Sequence, residues 1–167
     1  MTNSRRSVRF DFYTCDVFTR HRFGGNPLAV LPDARGLTDQ QMLQIAREFN
    51  YSETTFVLPP EAGHTRRVRI FTPAREVPFA GHPNIGTAFV LATAGLLGDI
   101  PGEIEVVFEE GAGLVPVRIL SDADRDLYCE LSAPQPLSIG AEVSIASVAA
   151  ALTLADEDIS DASHLPV

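Results

Sequence analysis

Apolar and polar positions change period repeatedly along the chain, and each change marks an element. Residues 9–18 (RFDFYTCDVF) alternate, which predicts a strand with Phe10, Phe12 and Thr14 on one face. A loop, 19–25, leads to a short buried strand at 26–31 (NPLAVL), and 32–36 is a turn. The period then becomes helical. Thr38 and Gln41 have the spacing of a capping box, Met42, Ile45, Ala46 and Phe49 form one apolar stripe, and Asn50 stops the helix. Strands follow at 53–58 and 66–71, the first ended by Pro59-Pro60 and the second alternating Arg with Val68 and Ile70. After a loop at 73–82, Pro83 opens a helix over about 83–97 that is apolar on every side. Further strands are predicted at 103–109, 113–120 and 126–132, with a polar turn at 121–125, and a last helix at 144–154. The acidic tail from Asp156 has little pattern.

A helix apolar all round in a water-soluble chain has to be enclosed. Its neighbours are all strand-like, so the predicted fold is α+β: a curved, mostly antiparallel sheet wrapped around a central apolar helix. The chain divides into one domain over 1–155 and a short crossover or tail over 156–167. Phe23-Gly24-Gly25-Asn26-Pro27 is echoed by Phe79-Ala80-Gly81-His82-Pro83, a single short repeat and thin support for duplication.

Composition narrows the function classes. The 167 residues carry 13 basic and 22 acidic side chains, a net charge of −9, which disfavours binding of nucleic acid or of an anionic membrane by bulk charge. Every one of those basic residues is Arg, so a lysine Schiff base and a Walker lysine are both excluded for this chain. Cys15 and Cys129 stand far apart with no Cys/His ligand spacing, so no metal site and no disulfide framework is predicted. Both cysteines are assigned packing roles. The uncharged stretch 77–98 is broken by Pro78, Gly81 and Pro83 and is too short on apolar residues for the ~20 that a membrane span needs. The N-terminus lacks the apolar core of a signal peptide. The expectation is a soluble, cytoplasmic protein.

Two segments carry candidate chemistry. Gly81-His82-Pro83 runs straight into the apolar helix, where the free amides of Asn84, Ile85 and Gly86 would favour an anion such as a substrate carboxylate. Gly86 leaves room for close approach, and His82 is placed to hydrogen-bond or exchange a proton with the same guest. Glu53, entering an apolar strand beside Ser52, Thr54 and Thr55, suits a half-buried general acid/base. On residues alone, an ordinary solvated strand-end carboxylate is the commoner reading of Glu53, and His82 is equally a helix cap or a side chain packed in a turn. No spacing rule links the two.

Taken together, FTPAREVPFAGHPNIGTAFVLA at 71–92, SETTFV at 52–57 and DVFTRHRFGGNPLAV at 16–30 resemble the PhzF-like phenazine-biosynthesis isomerases, relatives of diaminopimelate epimerase. The resemblance runs from about residue 9 to 97 and more loosely to about 154. It implies a protein of two similar halves with the active site between them, working without metal or organic cofactor. It assigns Glu53 as the acid/base that moves a proton between carbons of a small, cyclic carboxylic acid. It assigns His82 as its assistant and Gly81 as the partner of His82 in a Gly-His pair; with Pro83 and the helix-mouth amides of Asn84, Ile85 and Gly86, Gly81 completes the expected substrate-binding set. It also implies that Val167 falls near the crossover to a second half, since no DPxTGS-like segment is present. The expected partners are therefore the small carboxylate, a second half-domain or another chain, and a second copy in a homodimer. The alternative is a non-catalytic binding or assembly domain of the same fold.

Overall fold

The computed structural model describes residues 8–121 and 126–160. Most of the predicted 121–125 turn, and the tail beyond 160, lie outside them. The elements form two compact units that meet in sequence between Gln135 and Pro136.

In the first unit the order is β1 (Tyr13–Val17), β2 (Asn26–Leu31), α1 (Asp39–Phe49), β3 (Glu53–Leu58), β4 (Arg66–Phe71), β5 (Glu76–Val77), α2 (Gly81–Thr93), β6 (Glu103–Glu110), β7 (Gly113–Ser121) and β8 (Leu127–Leu131). The strands make one sheet in the order β1-β2-β3-β4-β6-β7-β8, with β5 paired to β4 beside that path. The β2–β3 and β4–β6 pairs are parallel and the rest antiparallel. Each parallel pair needs a crossover, and each crossover contains a helix: α1 for the first, α2 for the second.

Alternation along the strands separates two cores. Leu28, Val57, Ile70, Phe108 and Val117 line one face and surround α2. Leu31, Phe56 and Phe71 line the other, under Met42 and Ala46 of α1. Both edge strands, β1 and β8, also touch α2, so the sheet curls into a half-barrel around it. That is the predicted architecture, with one correction. The helix is not enclosed on every side: Phe89 stays 39% exposed and Thr93 is exposed, because the two sheet edges do not meet over this stripe.

Local departures have local causes. Residues 9–12 do not join β1, because β2 ends at Leu31 before Pro32 and the ladder stops at the Tyr13–Val30 pair. Helix α2 begins at Gly81, two residues before the predicted start, since Pro83 is tolerated anywhere in the first turn. It ends at Thr93 rather than 97, where Gly95 takes a left-handed φ of 70° and the Leu96 N–H returns to the Leu91 carbonyl. The loop predicted at 73–82 contains the short strand β5.

The second unit holds α3 (Ile145–Leu152), whose Ser144 side chain accepts from the Ser147 N–H, and a 3-10 turn at Asp156–Asp158.

Candidate active site at the mouth of the central helix

Glu53 is the first residue of β3 and shares a face with Thr55 and Val57, the face turned toward α2. Thr55 is tied to that helix directly: its hydroxyl lies 2.8 Å from the hydroxyl of Thr87, and both residues are fully buried. That contact fixes the height of α2 against β3. This brings His82, in the first turn of α2, to Glu53. His82 Nδ1 lies 3.3 Å from Glu53 Oε2, with the imidazole 9% and the carboxylate 20% exposed. The two candidate residues that no spacing rule connects are therefore in contact.

Burial pushes His82 below the usual imidazole range, against the opposing pull of the Glu53 carboxylate and the Pro27 carbonyl. At neutral pH the ring is neutral. Glu53 and the Pro27 carbonyl can both only accept, so the single N–H of the neutral ring is shared between two acceptors. Nε2 is buried and without a hydrogen-bond partner. The pair is a carboxylate beside a neutral imidazole, an arrangement able to take and return protons.

The flanking residues behave differently from one another. Beside Gly81 there is open space, since a Cβ there would meet no atom within 4 Å. Pro83 and Asn84 are buried, and the Asn84 side-chain amide donates to the Ala80 carbonyl at 3.1 Å, inside the fold. The helix starts at Gly81, so the unpaired amides at its mouth are those of Gly81 and His82 rather than of residues 84–86. Gly86 faces the sheet: a Cβ would come within 2.5 Å of Leu28 Cδ2 and 2.8 Å of Val17 Cγ2. Its smallness serves the seating of α2 on β1 and β2. Ile85 is half-buried and lines a cleft of about 540 Å³ between β1 and β8, together with Phe18, Phe89 and Tyr128. This cleft does not contain Glu53 or His82.

Cys15 on β1 and Cys129 on β8 line the same cleft as free thiols. Burial pushes each up to about 11, helped at Cys15 by Asp16, so neither is a thiolate at neutral pH. Among the described residues no cluster of three or more His, Cys, Asp or Glu side chains is placed to hold a metal ion. No helix among them is long and apolar enough to cross a membrane.

One buried carboxyl went unnoticed in the sequence. Glu110, the last residue of β6, has both side-chain oxygens buried without a partner, and its neighbour is Asn84. The alternation Val106, Phe108, Glu110 on one face was the available signal. The echoed motifs, by contrast, adopt different structures: Asn26-Pro27 opens a strand, whereas His82-Pro83 lies in a helix.

A half-barrel around a central helix, with a carboxylate and an imidazole meeting at the helix mouth, defines an epimerase-like α+β fold. Comparison with known proteins refines that class: the family described as "Phenazine biosynthesis-like protein" matches residues 15–166, and the chain belongs to it. It is 46% identical over 154 residues to an uncharacterized isomerase of Mesorhizobium japonicum, covering 89% of this chain and 49% of that protein. It is 37% identical over 125 residues to the trans-2,3-dihydro-3-hydroxyanthranilate isomerase of Pseudomonas aeruginosa, covering 75% and 43%. Among solved structures, a predicted epimerase of P. aeruginosa superposes with a TM-score of 0.77 at 30% identity, covering 92% of this chain and 54% of that one. The chain thus spans about half the length of the curated relatives it matches.

Proposed function

We propose that this chain supplies the Glu53–His82 side of the active site of a cofactor-independent isomerase or epimerase, which moves a proton on a small, cyclic carboxylic acid. The observation that carries this reading is the 3.3 Å contact between Glu53 and His82 at the mouth of α2. Glu53 removes a proton from a carbon of the substrate. The electron pair left behind spreads into the adjoining unsaturated system, and Glu53 returns the proton to another carbon. His82 assists Glu53 by hydrogen bonding or proton transfer. The amides of Gly81 and His82 bind the substrate carboxylate in the open space beside Gly81. The opposite wall comes from a second half-domain or another chain, and the whole protein works as a homodimer.

The substrate to test first is trans-2,3-dihydro-3-hydroxyanthranilate, named for the P. aeruginosa relative. In deuterated water the wild-type protein is expected to place deuterium on a substrate carbon, and Glu53→Gln to reduce that uptake by about 10²–10⁴-fold, the usual worth of a general acid/base. Undiminished uptake by a folded Glu53→Gln protein would remove Glu53 from the mechanism. The second reading, a non-catalytic assembly domain, draws on the exposed Phe89 stripe of α2. It is supported if the wild-type protein binds carboxylates without any isotope exchange.

A further inference from the structure

Glu109 and Glu110 are adjacent on β6 and have opposite surroundings. Glu109 accepts from the backbone N–H groups of Glu61, Ala62 and His64 at 2.6, 2.9 and 3.1 Å, as a carboxylate should. Glu110 points the other way, onto the face that packs around α2, and neither of its oxygens has a partner. The polar group beside it is the Asn84 side-chain amide. Asn84 is fully buried, spends one N–H on the Ala80 carbonyl, and leaves its own Oδ1 without a donor.

A count of donors and acceptors singles out one protonation state. An ionised Glu110 brings two acceptors to a site that already has an unsatisfied acceptor, Asn84 Oδ1, and where the polar group beside it among the described residues is the Asn84 amide, with one N–H left to give. A protonated Glu110 closes the set. Its O–H donates to Asn84 Oδ1, its carbonyl oxygen accepts the second Asn84 N–H, and the two side chains form a reciprocal acid–amide pair.

We propose that Glu110 is a protonated positioning residue, paired in this way with Asn84, and that the pair clamps the first turn of α2 to the end of β6 and so holds His82 against Glu53. The positioning half of this statement rests on the Glu53–His82 reading above; the protonation half does not. Desolvation acts in the same direction, pushing the Glu110 carboxyl up to about 8 against the weaker influence of Asn84. The charged groups nearby are otherwise occupied. On β4, Arg67 pairs with Glu61, and Arg69 pairs with Asp39 and with Glu76 of β5. Opposite Glu110 on β7 stands Gly113, and the titratable group of α2, His82, faces Glu53.

The test uses the full protein and two substrate-free readouts. Infrared spectra of the wild type at neutral pH should contain a protonated-carboxyl band that disappears as pH rises through about 8 and is missing in Glu110→Gln. Absence of such a band from the wild type overturns the proposal, whether or not any variant folds. The imidazole titration of His82, followed by NMR, reads the positioning. Glu110→Ala should move it back toward the ordinary value, and Glu110→Gln, which keeps an amide–amide pair with Asn84, should restore the wild-type titration. A His82 titration unchanged in folded Glu110→Ala, or unrescued by Gln, overturns the clamp. Failure of deuterium exchange with both readouts as expected would instead count against the catalytic reading alone.

Discussion

The hydroxyl pair Thr55–Thr87 is the residue-scale contact on which the site geometry depends most directly. It ties β3 to α2 in a core with no water-facing alternative. Thr87→Val keeps the shape and removes one partner, leaving the Thr55 hydroxyl buried and unpaired. The expected loss in stability is about 1–3 kcal/mol, whereas Thr55→Val with Thr87→Val together should be nearly neutral, because no polar group is then stranded. Urea denaturation of the two single variants and the double variant measures this; additive losses would show that the pair contributes nothing beyond packing. The same logic explains what was legible here. Glu53 and His82 stand out through residue type and neighbouring motif, but their contact depends on the depth at which α2 sits, which the Gly86 seat and the Thr55–Thr87 bond determine. Glu110 stayed hidden because Glu-Glu-Gly at a strand end looks like a solvated turn until a helix covers one of the two side chains.

At the scale of elements, legibility follows the range of the interactions. Helix α1 matches its prediction because its determinants are local. Thr38 and Gln41 close the capping box, with the Thr38 N–H donating to Gln41 Oε1 at 2.9 Å, and Asn50 ends the helix at a left-handed φ of 54°. Thr38→Ala should therefore destabilise the protein by about 1 kcal/mol, and Thr38→Ser by much less, as read from urea midpoints. Equal losses would mean that the tertiary contacts of Met42 and Ala46 hold the helix without its cap. The strands are less readable. Their positions follow from alternation, but the parallel β2–β3 and β4–β6 joins and the length of β1 depend on partners far away in sequence. The ends of α2 combine both cases: a proline that fits several first-turn positions, and a glycine whose left-handed turn ends an otherwise continuous apolar run.

For the whole molecule, the buried titratable groups set how stability responds to pH. His82 is held below its ordinary value of 6.5, so its contribution is present above about 6.5 and is lost as pH falls through the depressed value. Glu110 is raised from 4.5 to about 8, so its contribution is complete below 4.5 and is lost as pH rises through 8. From 6.5 down to the depressed His82 value the two slopes oppose each other. Above 6.5 the Glu110 slope acts alone, and the net charge of −9 adds self-repulsion in the same direction. Glu109 sets the acid side. Despite desolvation, its three backbone N–H partners hold it below the usual carboxylate range, so its contribution is lost as pH falls below about 4.5. The expected profile of urea midpoints declines from about pH 4.5 toward about pH 8, least steeply just below pH 6.5 where His82 opposes Glu110, with a separate fall on the acid side. Glu110→Gln should flatten the decline, leaving the shallower slope from net charge, and should leave midpoints rising with pH just below 6.5 because the His82 slope is then unopposed. Replacing His82 with Asn should steepen the decline there. A wild-type profile that keeps rising through pH 8 would contradict the assignment of a proton to Glu110, and unchanged slopes below pH 6.5 in both variants would show that neither group governs that range.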